Sequence, residues 1–258
     1  MDSTPGEQMS GALGMDSRGH DSPSALPAPA ANVSAAHFDQ FAGEYGNLLD
    51  QSISFSGEDS EYFFQYKAKY LARTLSPDFC GRVLDYGCGV GTLSGFIKAQ
   101  MPRAEINGYD VSSEAIGRVD PALLRQGSFT SDPSQLAYNY DLIVVTNVMH
   151  HVVPGERQAM VSDLAGRLAA GGKLVILEHN PINPGTRLVV ARCAFDEGVI
   201  LLTPKEVSRY LAAAKLRQVR RDYIVFMPRF LSWLRPLEHW LAWLPLGAQF
   251  TVIGEKHA

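Results

Sequence analysis

Short apolar runs alternate with stretches of helical periodicity through most of the chain. Four apolar runs have the length of buried strands: about 82–86, 104–109, 141–146 and 172–178. Apolar positions at helical spacing fill residues 92–100 and 155–169, between these runs. Regular alternation of this kind predicts an α/β fold with a doubly wound sheet.

Less regular patterns predict the remaining elements of the sheet. A third strand is expected near 123–130, and a short helix is expected from Ser112 or Ser113. The later apolar runs predict a sixth strand at about 217–226 and a seventh at about 249–254. The sheet should therefore contain seven strands.

Two helix starts carry capping signatures. Thr203 precedes Pro204 and is followed three residues later by Glu206, which is the pattern of a capping box with proline at the first helical position. The helix that follows should turn Val207, Tyr210 and Leu211 inward. A second capping box is predicted over 56–59, opening a helix that runs through Leu71.

The amino-terminal segment differs in composition from the rest. Residues 1–36 are rich in Ser, Ala, Gly and Pro, contain no aromatic residue, and carry four acids against one Arg. Such a segment cannot bury enough apolar surface to offset the cost of ordering, so it is predicted to be a disordered tail. One folded domain is expected over 37–258. Phe38 and Tyr45, at helical spacing with Phe41, predict a helix that covers a ligand pocket or packs on a neighbouring helix.

Bulk composition narrows the class of protein. Hydrophobic residues make up 46% of the chain and charged residues 19%, as in ordinary globular domains. The net charge of -4 lacks the basic footprint of a nucleic-acid-binding protein. The three cysteines have no disulfide-like or metal-like spacing, and no apolar stretch is long enough to span a membrane. A cytoplasmic location is therefore expected.

The most informative run follows the first predicted strand. An acid, Asp85, ends the strand, and Gly87, Gly89 and Gly91 follow before the helix that opens at Thr92. This G-x-G-x-G spacing differs from the G-x-G-x-x-G fingerprint of dinucleotide sites. A carboxylate at this place would repel a pyrophosphate, but it would attract the ammonium and sulfonium of S-adenosylmethionine. The run therefore favours S-adenosylmethionine as the cofactor.

A second acid supports the same cofactor. Asp110 ends the second predicted strand. A carboxylate at a strand tip can accept two hydroxyl hydrogen bonds, which suits a ribose diol. Asp110 is thus predicted to bind the ribose.

These stretches closely resemble motif I and the following acidic motif of class I S-adenosylmethionine-dependent methyltransferases. The resemblance continues through the fourth-strand motif at 140–151 and the fifth-strand motif at 170–178, and it spans roughly 38–254. It implies a Rossmann-like seven-stranded sheet, mostly parallel with an antiparallel last strand and helices on both faces. The pattern is most similar to the small-molecule, quinone-biosynthesis-like branch of the family.

The resemblance also implies which residues hold the cofactor. Val111 should pack on the adenine, and Asn147 should lie near the methionine amine. Cys88 sits within the glycine loop as a small apolar residue. The predicted cofactor-binding residues are Asp85, Gly87, Cys88, Gly89, Gly91, Asp110, Val111 and Asn147.

The candidate catalytic residues follow the fourth strand and end the fifth. An imidazole titrates near neutrality and suits a general base for a hydroxyl, so His151, and next to it His150, are candidates. Glu178 and His179 are predicted to touch the acceptor. The alternatives are hydrogen-bonded structural histidines and simple capping at the strand end. The sequence contains no ligand cluster that demands a metal, so no metal is predicted.

An insertion at 226–247 separates the sixth and seventh strands. Its part 230–244 holds three Trp and a stripe of Leu, with few polar residues. It is too short to span a bilayer. Burial in the core, a homodimer contact, a roof over an apolar acceptor and peripheral membrane contact are the alternatives that the sequence leaves open.

The predicted function is methyl transfer from S-adenosylmethionine to a small-molecule acceptor, at a hydroxyl on an aromatic, saccharide or lipid-like compound. The alternative is a non-catalytic methyltransferase-like protein that binds S-adenosylmethionine. A nucleic-acid acceptor is disfavoured by the charge and by the absence of an Asn-Pro-Pro-Tyr-type motif after the fourth strand. The sequence does not name the acceptor.

Overall fold

The computed structural model describes residues 1, 39, 50–76, 78–193 and 196–257. The predicted tail, apart from Met1, lies outside the described residues, and so do Phe38, Phe41 and Tyr45.

Seven strands form one sheet in the order β3-β2-β1-β4-β5-β7-β6. The strands are β1 (Arg82–Tyr86), β2 (Glu105–Tyr109), β3 (Phe129–Thr130), β4 (Tyr140–Thr146), β5 (Leu168–His179), β6 (Arg217–Ile224) and β7 (Gln249–Glu255). Strands β1 to β5 pair in parallel, whereas β7 runs antiparallel to both β5 and β6. The predicted class I methyltransferase sheet is confirmed.

Helices connect the strands and cover both faces of the sheet. They are α1 (Ser60–Leu75), α2 (Thr92–Gln100), α3 (Ser113–Ile116), α4 (Pro121–Leu124), α5 (Arg157–Arg167), α6 (Pro184–Arg192) and α7 (Pro204–Ala213). Short 3-10 turns lie at Ser54–Ser56, Pro133–Gln135 and Met149–His151, and a longer one runs over Arg229–Trp240. None of the described helices is both long and apolar enough to cross a membrane.

The two predicted capping boxes have different outcomes. At α7, Thr203 accepts from the Glu206 N–H and Glu206 accepts from the Thr203 N–H, so this box is confirmed. At α1 the cap is Asp59, which accepts from the Tyr62 N–H at 2.9 Å. Ser56 instead lies in the preceding 3-10 turn, so the prediction of a box starting there was wrong.

The third strand is shorter than predicted. Residues 121–124 form α4, because Pro121 occupies the first helical position and the Asp120 side chain accepts from the Ala122 N–H at 2.7 Å. Only Phe129 and Thr130 remain in β3. Strand β5 starts earlier than predicted, at Leu168, which pairs with Tyr140 across a register shift.

Alternation along the central strands divides the core between the two faces. In β4, Leu142 and Val144 pack with residues of α1 and α2 on one face. Ile143 and Val145 pack with residues of α5 and α7 on the other. Burial on both faces explains the uninterrupted apolar pattern of β4. It also leaves the carboxyl ends of β1, β2, β4 and β5 together at one edge, where ligands bind in such folds.

Candidate functional site

A cavity of about 400 Å³ opens at this edge of the sheet. Its volume lies within the range of small-ligand sites. The walls come from the glycine loop after β1, the end of β2, the turn after β4, helix α1 and residues 225–228. The predicted site residues that line it are Asp85, Gly87, Cys88, Gly89, Asp110, Val111, Asn147, His150, His151 and His179.

The three glycines of the loop after β1 have different roles. Gly87 has a φ of +80°, and a Cβ there would lie 2.2 Å from the Val148 Cγ2, so only glycine fits. Gly89 faces open space, with nothing within 4 Å of an added Cβ. Gly91 does not line the cavity but caps α2 with a φ of +81°. The open face of Gly89 provides room for a cofactor against bare backbone.

Two acids border this cradle, Asp85, which is buried, and Asp110, which is partly buried. Asp85 is 1% exposed and accepts from the Ser94 hydroxyl at 2.7 Å. Burial raises the pKa of Asp85 to about 6. Asp110 accepts from the Gly89 N–H at 2.8 Å and from the Ser112 N–H at 2.9 Å, which ties the ribose-binding candidate to the glycine loop.

Asn147 carries a polar atom that the protein does not satisfy. The residue has a φ of +54°, and its side-chain Oδ1 is buried without a hydrogen-bond partner among the described residues. Buried acceptors of this kind normally have a donor. The ammonium of S-adenosylmethionine would supply one, so the predicted place of Asn147 near the methionine amine fits the geometry.

Lys67 is a site residue that the sequence prediction missed. It lies on α1, is 2% exposed and lines the cavity. Burial lowers its pKa to about 8, although Glu178 and Asp85 act in the opposite direction. The only sequence signal is its place between Phe63 and Leu71, at helical spacing on the inward face of α1. A buried cation here can bind the carboxylate at the methionine end of the cofactor.

We expect the affinity for S-adenosylhomocysteine to fall about tenfold between about pH 7.5 and about pH 5. The ammonium of the ligand requires the ionised form of Asp85, and that form is lost as the pH drops through about 6. Calorimetric titration across this range would measure the effect, with Asp85→Asn as the variant that should bind weakly and lose the pH dependence. A constant affinity for the wild-type protein would remove Asp85 from the ammonium site.

Replacing Lys67 should weaken cofactor binding specifically. We expect Lys67→Met to raise the dissociation constant for S-adenosylhomocysteine about fivefold to tenfold, because a charge-assisted hydrogen bond to the ligand carboxylate is lost. Lys69→Met is the matched control, because Lys69 lies on the same helix, is exposed and donates to the Gln65 side chain at 3.1 Å. Equal affinities of the two variants would show that Lys67 has no role in binding.

The second half of the cavity is a cluster of histidines and carboxylates. Glu178 holds this cluster in place. Its Oε1 accepts from the N–H groups of Val148 (3.0 Å) and Met149 (2.7 Å), and its Oε2 accepts from His150 Nδ1 at 2.5 Å. Glu178 itself is not among the residues that line the cavity. The geometry therefore gives it the role of holding the turn after β4, and leaves His179 as the member of the predicted acceptor-contacting pair that faces the cavity.

Asp196 completes the cluster and was not predicted as a site residue. Its Oδ1 lies 3.4 Å from His150 Nε2 and 3.3 Å from His151 Nε2. It follows α6, where its N–H donates to the Cys193 carbonyl at 3.1 Å. Neither periodicity nor spacing in the sequence connects this residue with the two histidines.

Burial and the neighbouring carboxylates give the three histidines different pKa values and therefore different protonation states. Burial alone would lower the pKa of His150, but Glu178 and Asp196 raise it to about 9. Burial, together with the neighbouring His150, lowers the pKa of His151, and burial lowers that of His179 to about 4. At neutral pH His150 is therefore a cation, and His151 and His179 are neutral. A neutral imidazole can accept a proton, so His151 is the base candidate that the electrostatics favour.

The same cluster has the composition of a metal site. One donor atom from each of His150, His151 and Asp196 lies within 4.8 Å of the others. The sequence predicted no metal, yet the fold brings together three ligands, two imidazoles and a carboxylate, that a divalent ion could share. Binding would require His150 to give up its proton.

Comparison with known proteins shows that the central part of the chain is similar to methyltransferases. The methyltransferase domain family matches residues 84–174. The ubiquinone/menaquinone biosynthesis C-methyltransferase of Syntrophotalea carbinolica is 31% identical over 156 residues, which cover 57% of this chain and 62% of that protein. Ribosomal RNA small subunit methyltransferase C of Klebsiella pneumoniae is 28% identical over 151 residues, covering 55% of this chain and 44% of that protein. The chain thus spans less than two thirds of these relatives.

Solved structures share the fold at low sequence identity. Magnesium protoporphyrin IX methyltransferase from Synechocystis, with S-adenosylhomocysteine bound, has a TM-score of 0.57 at 16% identity and covers 86% of this chain and 99% of that one. A methyltransferase from Archaeoglobus fulgidus has a TM-score of 0.58 at 15% identity and covers 77% and 95%. The resemblance drawn from the sequence motifs is confirmed, and so is the predicted cofactor.

Proposed function

We propose that this chain, a class I methyltransferase with an S-adenosylmethionine site, transfers a methyl group to a hydroxyl of a small, largely apolar acceptor. The observation that carries the proposal is that one cavity holds both halves of the reaction. Asp85, Gly89 and Asp110 line its cofactor side, and His151, neutral and held by Asp196, lines the same cavity.

The cofactor, when bound, supplies an activated methyl group and a neutral thioether leaving group. The chain's own residues align the acceptor and remove its proton. With Nε2–H of His151 donating to Asp196, the neutral ring keeps its lone pair on Nδ1, and this nitrogen takes the hydroxyl proton. The carboxylate of Asp196 then stabilises the imidazolium that forms beside the cation of His150.

The lining of the cavity supports an apolar acceptor. Aromatic side chains of α1, including Phe63 and Phe64, face it on one side, and Phe226 and Met227 face it on the other. The names of the quinone-biosynthesis relative and of the magnesium protoporphyrin structure also point to small, largely apolar acceptors. The ribosomal RNA relatives are the contrary case, but a net charge of -4 does not favour a phosphate backbone.

A screen for turnover tests the proposal. Purified protein would be incubated with S-adenosylmethionine and a panel of phenols, saccharides and lipid-linked alcohols, and S-adenosylhomocysteine release would be measured. Release that depends on a hydroxyl acceptor, with methylation at oxygen shown by mass spectrometry, supports it. Tight cofactor binding without release on any member of this panel, or of a second panel of amines and carbon acceptors, would instead favour the non-catalytic alternative. Methylation at carbon would retain methyl transfer but reject a hydroxyl acceptor.

A further inference from the structure

In the insertion between β6 and β7, large apolar side chains are exposed to solvent, whereas an ordinary surface segment exposes its polar side chains. Trp233, Trp240 and Trp243 are 74%, 66% and 75% exposed, and Phe230 and Leu246 are 77% and 61% exposed. We call these five residues the Trp surface. Burial in the core, one of the alternatives that the sequence left open, is wrong for these side chains. Residues 229–246 do not line the cavity either, so they do not roof it.

Two of the three charged residues of the same segment, Arg235 and Glu238, point into the protein. Glu238 is 4% exposed and accepts from the N–H groups of Phe226 (3.2 Å) and Met227 (2.8 Å). Arg235 bonds Glu58 on the chain before α1, at 2.5 Å, and its guanidinium lies 4.2 Å from the centre of the Tyr62 ring. These contacts fix the orientation of the segment. The tryptophans cannot turn inward without breaking a half-buried ion pair and exposing two backbone donors.

The Trp surface is continuous with neighbouring apolar residues and with the cavity wall. Asn183 donates to the Leu246 carbonyl at 2.7 Å, which places Ile182, 61% exposed, beside Leu246. Residues 226–228, immediately before the segment, line the cavity, and so does Asn183. The Trp surface is therefore joined to the cavity wall at both of these places in the chain.

We propose that the Trp surface docks on a lipid membrane. Exposed apolar patches of this kind mark interaction sites, and indole rings favour the boundary between headgroups and acyl chains. The charged residues of this segment also favour a membrane. The only acid within 226–249 is Glu238, which is buried, whereas Arg229 is exposed beside the patch and can bind anionic headgroups. The inference goes beyond the proposed methyl transfer and does not depend on it.

The chain provides its own reporter for the test. It contains three tryptophans, all of them in the Trp surface, so intrinsic fluorescence reports on this surface alone. On addition of vesicles of phosphatidylcholine and phosphatidylglycerol to the full-length protein, we expect the emission to shift to shorter wavelength and brominated lipid to quench it. Co-sedimentation would give the partition coefficient. In the double variant Phe230→Ser, Trp240→Ser this coefficient should fall about tenfold or more.

Leu124→Ser is the matched control, because Leu124 is 44% exposed on α4 near β3, at the opposite edge of the sheet from β6 and β7. It should leave vesicle binding unchanged. Circular dichroism would verify that each variant is folded. The proposal is overturned if the folded wild-type protein shows no spectral shift and no co-sedimentation. It is equally overturned if sedimentation shows a dimer that depends on these residues while vesicles remain unbound.

Discussion

We expect His151→Ala to lower the turnover number by about 10²- to 10⁴-fold while the affinity for S-adenosylhomocysteine changes by less than about threefold. The reason is that different residues form the acceptor half and the cofactor half of the cavity. His151 belongs to the acceptor half, where its neutral ring lies 3.3 Å from Asp196, whereas the cofactor half is built from the glycine loop and two acids. Losing the base removes proton transfer and leaves the methyl donor in place. Single-turnover kinetics and calorimetry would measure the two quantities separately.

Asp196→Asn is the companion variant. An amide keeps the shape but cannot stabilise the imidazolium, so we expect a smaller loss than for His151→Ala and, because Asp196 raises the pKa of His151, a pH–rate profile displaced towards lower pH. His179→Gln tests the neighbouring ring, which also lines the cavity but has its pKa lowered to about 4. A wild-type rate for His151→Ala would end the candidacy of His151 as the base, and a large loss for His179→Gln would transfer the role to His179.

The second large effect concerns cofactor affinity. Asp110→Ala should raise the dissociation constant for S-adenosylhomocysteine by more than about tenfold, since losing a hydrogen bond to a charged group costs about 1.5–3 kcal/mol. Asp110 also accepts from the Gly89 N–H at 2.8 Å, so the variant loosens the glycine loop as well. Isothermal titration of wild type and variant would show the difference.

Asp132→Asn controls for the removal of an acid after a neighbouring strand. Its carboxylate accepts from the Ser134 N–H at 2.9 Å and from the Gln135 side chain at 3.1 Å, and it does not line the cavity. Cofactor affinity should therefore be unchanged. If Asp110→Ala binds as tightly as Asp132→Asn, then Asp110 does not bind the ribose.

The sheet and the cofactor half of the site were predictable because local pattern determines them. Strands such as β4 are buried on both faces and read as unbroken apolar runs, and the loop after β1 needs glycine at Gly87 because the tight turn there has a φ of +80°. The one misassigned strand lies where a local helix start at Asp120 and Pro121 shortens β3. Local capping prevailed there over a weak strand pattern.

The acceptor half could not be predicted to the same depth. Asp196 joins His150 and His151 only through the path of the chain after α6, which no periodicity encodes. Glu178 was expected to touch the acceptor, but the geometry of β5 directs it to the backbone of the turn after β4. The outward tryptophans show the same limit, since an apolar pattern alone does not tell a core from a docking surface.

The hydrogen bonds of the glycine loop also bear on how such a protein diversifies. Gly87 and Cys88 both donate to the Tyr109 carbonyl, at 2.7 and 2.9 Å, and Gly89 donates to Asp110, so the first two strands and their loop form one unit. The acceptor half also includes residues from two separate segments, Asp196 after α6 and Phe226 and Met227 after β6. Mutations in those two segments can exchange one acceptor for another while the methyl donor keeps its position. Paralogues with new substrates are therefore expected to differ first in those two segments.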